Sequence, residues 1–184
     1  MTEGKTQLDN ATIEAMFKAG AHYGYSRARR NSSVRSYLYG VKNGVDIIDL
    51  GETFKMLESA KARLLELGKL GKAVLFVGTK HEIRAIVEEV AKSISMPFVN
   101  ERWIGGTLTN WLEIKKRTGR LKELSDKFAK GELEKYTKKE RLLFEREMAK
   151  LQTEFGGIAS LESTPSALVI VDPREVHIAV MVAK

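Results

Sequence analysis

The chain has 184 residues, 43% of them hydrophobic, which is enough for one full domain with a sizeable core and excludes a disordered polymer. Against 24 acidic residues stand 31 lysines and arginines, a formal net charge of +7, so a polyanion or an acidic surface is the expected partner. The absence of cysteine excludes a disulfide framework and a thiolate metal site; no apolar run is long enough to span a bilayer, and a soluble, cytoplasmic protein is expected.

Along the chain, Asn10 is placed to cap a short helix whose apolar face is Ile13, Met16 and Phe17 and whose stop is Gly20. The stretch YSRARRNSSVRSYLYGVKNG follows. It carries Arg27, Arg29, Arg30, Arg35 and Lys42 with no acidic residue, interleaved with Tyr25, Tyr37 and Tyr39. Arginines and tyrosines together offer phosphate forks and stacking faces, and an acid-free run lacks internal partners to quench its field. The plain alternative is a solvated basic loop. Its end reads as a hairpin through Lys42-Asn43-Gly44, because Asn-Gly supplies the positive φ a tight turn needs. From Glu52 to Leu67, Phe54, Leu57, Ala60, Leu64 and Leu67 keep helical spacing, with Gly68 as the expected end.

KAVLFVGTK then reads as a strand buried on both faces, HEIRAIVEEVAKSI as a helix and MPFVN as a second strand, which together make a right-handed βαβ unit. NERWIGGTLTNW holds both tryptophans. Gly105 and Gly106 give it permissive backbone where Trp103 and Trp111 can pack a joint. Asn110 with Glu113 fits a cap, followed by a 3-4 seam of Trp111, Ile114, Thr118, Leu121, Ser125 and Phe128. After Gly131, Thr137 and Glu140 form a capping box, and Phe144, Met148, Leu151 and Phe155 make a second seam ending at Gly156-Gly157. The two helices should fold back as an antiparallel hairpin with basic outer faces. Lys115, Lys116, Arg117, Arg120 and Lys122 lie on one arm, and Lys135, Lys138, Lys139 and Arg141 lie near the tip. SALVIVDP supplies a third strand and REVHIAVMVAK the start of a helix. The expected organisation is an α/β domain of residues 1–108 and 157–184 with an inserted helical hairpin at 109–156.

Catalytic chemistry finds little support. VGTKHE is not G-x-G-x-x-G, and neither it nor GGTLTN is a Walker A loop, so Gly78 to Lys80 reads as an ordinary βα turn. The histidines His22, His81 and His177 lack zinc-site spacing, and His22 is assigned to packing or hydrogen bonding. Asp46 and Asp49, three apart on a presumed strand, should face opposite sides and cannot form a carboxylate pair. No cofactor, metal or small-molecule substrate is expected. A platform that docks another protein through the hairpin is the competing binding role.

MFKAGAHYG, YGVKNGVDIIDL, AVLFVGTK, FVNERWIGGTLTNW, the Thr137–Glu140 cap, and FGGI before PSALVIVDP resemble, in order and spacing, the bacterial type of small ribosomal subunit protein two. The resemblance runs from about Asp9 to the last residue. It implies a flavodoxin-like parallel sheet with an inserted coiled-coil hairpin, binding to ribosomal RNA, contact with neighbouring small-subunit proteins, help in recruiting ribosomal protein one, and no catalysis. Carried over, Arg27, Arg29, Arg30, the Lys42-Asn43 turn and the Arg102-Trp103 loop are the RNA-facing positions. Arg35 of the arm and Lys115, Lys116, Arg117, Lys138 and Lys139 of the hairpin join them as basic candidates. Two departures stand out. Tyr25 occupies the place of a second family histidine, and the chain stops at Lys184 where the family continues with two more strands, so a truncated sheet of order 2-1-3 is expected.

Overall fold

The computed structural model describes the backbone of residues 2–183 and the side chains of residues 10–183. The chain divides into two compact units, Met1–Glu66 and Leu67–Lys184.

In the first unit, α1 (Thr2–Lys18) precedes β1 (Tyr23–Ser26), β2 (Leu38–Lys42) and β3 (Val45–Ile48), and α2 (Leu50–Lys69) carries the chain into the second. The strands form an antiparallel sheet of order β1-β3-β2. Lys42 pairs with Val45, and between them Asn43 at φ 52° and Gly44 at φ 76° make the two-residue turn expected from the sequence. Asn10 does not cap α1; it lies within it, because nothing in the preceding polar run, which holds no proline, stops a helix. Gly20 does end it: at φ 76°, its N–H donates to Phe17 O and that of Ala21 to Met16 O, a closed C-terminal motif.

Two expectations about α2 are corrected. Asp49 is off the strand and caps the helix, its Oδ1 accepting from the N–H of Gly51 at 2.8 Å and of Glu52 at 3.3 Å. Gly68 stays helical, and the stop is Gly71 at φ 62°, where Lys72 N–H reaches Leu67 O at 3.0 Å. A glycine ends a helix only where the chain needs a positive φ.

The second unit contains β4 (Val74–Val77), α3 (Arg84–Ser93), β5 (Phe98–Val99), α4 (Trp111–Ala129), α5 (Lys138–Phe155), β6 (Ala167–Ile170) and α6 (His177–Val182). Its sheet is parallel, in order β5-β4-β6. Leu75 and Val77 of the central strand are fully buried, as a strand covered on both faces requires. Gly78 turns the chain tightly into α3: a Cβ there would stand 2.7 Å from Val87 Cγ2.

The helices α4 and α5 lie against each other, and their buried residues Ile114, Leu121, Leu124, Leu151 and Phe155 join the sheet residues in one core cluster. The expected seam of α4 shifts partway along. Leu124 is buried while Ser125 and Phe128 are exposed, so the buried line Ile114, Thr118, Leu121 and Leu124 steps by four, three and three instead of returning to a step of four. Asn110 precedes α4 without a side-chain capping bond. Thr137 and Glu140, in contrast, form the complete box, with Thr137 N–H donating to Glu140 Oε2 at 2.9 Å and Glu140 N–H to Thr137 Oγ1 at 3.4 Å. Among the described residues no helix is long and apolar enough to cross a membrane.

Candidate nucleic-acid interface

In the first unit the basic arm is shaped by two short 3-10 turns, Arg27–Arg29 and Ser32–Tyr37. Arg27 N–H bonds to Gly44 O at 3.1 Å, which ties the arm to the hairpin tip, and Asn31 caps the second turn by accepting from Ser33 N–H at 3.0 Å. Arg27, Arg29, Arg35, Lys42 and Asn43 are exposed, with Tyr25, Tyr37 and Tyr39 exposed around them. The four cations have no acidic partner among the described residues, so their field reaches solvent undiminished.

Arg30 differs. It is half-buried, and its Nη1 lies 3.4 Å from Oδ1 of Asp46 on β3, whose side chain is 3% exposed. The expectation that the whole arm lacks an internal partner is therefore corrected at this one position. The signal was a lone aspartate in the apolar VDII strand, a residue that burial obliges to find a cation. Gly24 of β1 makes room for it: a Cβ at Gly24 would stand 3.1 Å from Asp46 O. His22 is stacked on Phe17 with ring centroids 4.3 Å apart and packs on Tyr23 at 4.1 Å, the packing role expected of it.

In the second unit Arg102 is exposed, whereas Trp103 is half-buried against the core together with Ile104 and Trp111. Trp111 Nε1–H donates to Glu162 O at 3.4 Å, and buried Thr107 donates its hydroxyl to Ile104 O at 2.6 Å. Gly106, at φ 87°, takes the backbone turn between them. The tryptophan loop is a structural joint with one outward arginine.

On α4, Lys115, Lys116 and Arg117 are exposed, and Lys116 pairs with Glu113 at 2.5 Å. Arg120 is not a free cation. Its guanidinium bridges to Glu147 of α5 at 3.0 and 3.2 Å and to Glu123 at 3.1 Å, and the Glu147 hydrogen bonds hold it above the ordinary arginine range. Lys138 and Lys139, exposed and without acidic partners among the described residues, stand in the first turn of α5. Positive charge there opposes the helix dipole, so helix stability is not what these lysines serve.

At the strand C-termini, where an α/β enzyme would bind its ligand, the charges are mutually paired. Arg84 donates to Glu101 Oε2 at 2.6 Å and to Thr79 O at 2.9 Å, and Lys80 lies 3.9 Å from Asp172. Among the described residues no group of three or more histidines and carboxylates could hold a metal ion.

Residues 16–184 match the family described as ribosomal protein S2. The curated protein named small ribosomal subunit protein uS2 from Paramagnetospirillum magneticum is 41% identical over 176 residues, covering 96% of this chain and 66% of the relative. Its namesake from Geotalea uraniireducens is 38% identical over 177 residues, 96% of this chain and 69% of the relative. That from Desulfovibrio desulfuricans is 40% identical over 169 residues, 92% of this chain and 66% of the relative. Across the relatives compared, the chain spans 59% to 69% of their length. The chain belongs to the ribosomal protein S2 family, whose members are structural rather than catalytic components of the ribosome.

Proposed function

We propose that this chain is a structural constituent of the small ribosomal subunit that binds ribosomal RNA in the cytoplasm, supports subunit assembly and helps recruit ribosomal protein one. The observation that carries the reading is the arm of the first unit. Arg27, Arg29 and Arg35 stand exposed, without acidic partners among the described residues and surrounded by three exposed tyrosines, next to Lys42 and Asn43 at the hairpin tip. Guanidinium groups bind phosphates as forks while tyrosine rings stack on bases, which is the chemistry RNA offers. Arg30 contributes by holding the arm to Asp46 as much as by facing RNA. Arg102, Trp103, Lys115, Lys116, Arg117, Lys138 and Lys139 form a second contact region. Residues 1–108 and 157–184 make up an α/β domain that carries the N-terminal helix and the basic arm, its parallel sheet being flavodoxin-like, and residues 109–156 form an inserted coiled-coil hairpin.

Co-sedimentation with small subunits depleted of this component, at several salt concentrations, tests the proposal. Saturable, stoichiometric binding is expected. Replacing Arg27, Arg29 and Arg35 by glutamine should flatten the log–log salt dependence by roughly 2–3 units, at about 0.7–0.9 for each phosphate no longer neutralised. An unchanged slope refutes the role of the arm. Binding that survives this triple change but fails on charge reversal at Lys138 and Lys139 would instead make the helical hairpin the docking element.

A further inference from the structure

On the flank of the second unit, two adjoining depressions of about 610 and 590 Å³ share Lys122 and Ala159. They form one groove between α4 and the segment of residues 156–163, and continue past Phe98 to Lys92. We infer that this groove seats a single-stranded stretch of RNA. The inference rests on the RNA-binding reading above and extends it to a surface that the basic arm does not include.

Three features point to that ligand. The groove wall on α4 is Lys115, Thr118, Gly119 and Lys122, residues spaced so that they share one helix face. Lys115 and Lys122, seven residues and about 10 Å apart along the axis, have no acidic partner among the described residues. On the opposite wall and beyond, Ser160, Ser163 and Ser95 add hydroxyls, and among the described residues Glu162 is the one carboxylate of the lining.

The second feature is an aromatic surface at one end. The Phe98 ring is half-buried and lines the groove, with Lys92 Nζ 5.8 Å from its centroid. Lys92 sits over that ring and is itself paired with Glu88 at 2.5 Å, so Phe98 adds an apolar wall at this end and Lys115 and Lys122 are the lysines left to hold phosphates.

The third is Gly119. Glycine is disfavoured in a helix interior, and at this one a Cβ would meet nothing within 4 Å, so packing inside the protein gives no reason for it. Close approach of an external chain to the helix backbone does give a reason. The spacing of charge, the ring and the bare backbone all lie along the same depression.

The test is fluorescence anisotropy of the full chain with a labelled single-stranded RNA of about 12 nucleotides, within the range that one such site covers. Four proteins are compared: the unaltered chain, Gly119→Leu, Lys115→Gln/Lys122→Gln, and Arg27→Gln/Arg29→Gln. Leucine at 119 suits a helix and has open space, so the variant folds and simply fills the groove floor. The unaltered chain should bind saturably, Gly119→Leu should weaken binding at least tenfold, and the double lysine variant should reduce the salt slope by about 1.4 units. If both groove variants bind as the unaltered chain does while the arm variant loses affinity, the groove inference is overturned and the general RNA reading stands. If the unaltered chain binds structured ribosomal RNA but not the single strand, the groove inference is again overturned. If it binds neither, both fall together.

Discussion

Replacing Arg30 by glutamine should loosen the first unit far more than the same change at Arg27 or Arg29. The pair it breaks is unevenly buried: Arg30 Nη1 lies 3.4 Å from Asp46 Oδ1, with the arginine side chain 23% exposed and the aspartate 3%. At an effective dielectric constant near 20, that separation corresponds to about 5 kcal/mol of attraction. Desolvation of the carboxylate and solvent access at the arginine reduce the net loss to about 2–3 kcal/mol, between a surface pair and a buried one. The asymmetry gives a sharper expectation. Asp46→Asn should cost less than Arg30→Gln, because the orphaned arginine can turn to water whereas the orphaned carboxylate cannot. Both tryptophans lie in the second unit, so the assay is amide hydrogen exchange over Tyr23–Ile48. Exchange in β3 should accelerate about 30- to 150-fold in Arg30→Gln, at tenfold per 1.4 kcal/mol. A double-mutant cycle with Asp46→Asn should return most of that energy as coupling. Protection in Arg30→Gln equal to that in Arg27→Gln would refute the argument.

Gly157→Ala should destabilise the second unit by about 2–3 kcal/mol, since its Cβ would stand 2.2 Å from the carbonyl oxygen of Phe98 and only a backbone shift relieves that clash. Urea unfolding followed by tryptophan fluorescence reads it, and an unchanged midpoint would show that β5 yields freely. Thr137→Ala should cost about 1 kcal/mol by removing the hydroxyl cap of α5, visible in the same unfolding curve. The backbone hydrogen bond from Thr137 holds the Glu140 carboxyl below the usual carboxylate range. Its contribution is therefore present above the ordinary glutamate value and is lost as the pH falls through the lower folded value; a Glu140→Gln chain should lack that part of the acid sensitivity. Arg120→Lys keeps the charge but gives up the two-pronged bridge to Glu147, and should cost about 0.5–1 kcal/mol given that the pair is over a third exposed on both sides. Thermal melting equal to that of the unaltered chain would place no weight on the fork.

What could be read from residue order was whatever depends on neighbours in the chain. Asn43-Gly44 forces its turn, Thr137 and Glu140 reach each other within one helical turn, and the apolar run at Val74–Val77 has no choice but burial. What could not be read depends on partners brought together by folding. Arg30 and Asp46 are 16 positions apart, and nothing in the arm announces the pairing. Arg120 looked like any outward cation until Glu147 of another helix stood beside it. The α4 seam failed for a subtler reason: Leu124 and Ser125 compete for one position, and only the packing of the helix pair chooses between them. At the candidate interface, the arm was visible as composition, whereas the groove beside Gly119 is a shape made by segments that are distant in the sequence.

The joint at the base of the helix pair has a consequence for how this protein tolerates change. The chain leaves the sheet through Trp103 and Trp111 and returns through Phe155, Ile158 and Leu161, all packed on the same core, with Trp111 bonded to Glu162 O across the gap. Entry and exit are stitched together at one point. The sheet therefore does not sense how many turns lie beyond Leu124 on α4 and before Phe144 on α5, where the shared core ends, provided both helices gain or lose them in step. The helical pair is an arm of adjustable reach, and insertions, deletions or grafts in that outer part can alter what it touches without a strand of the sheet changing register.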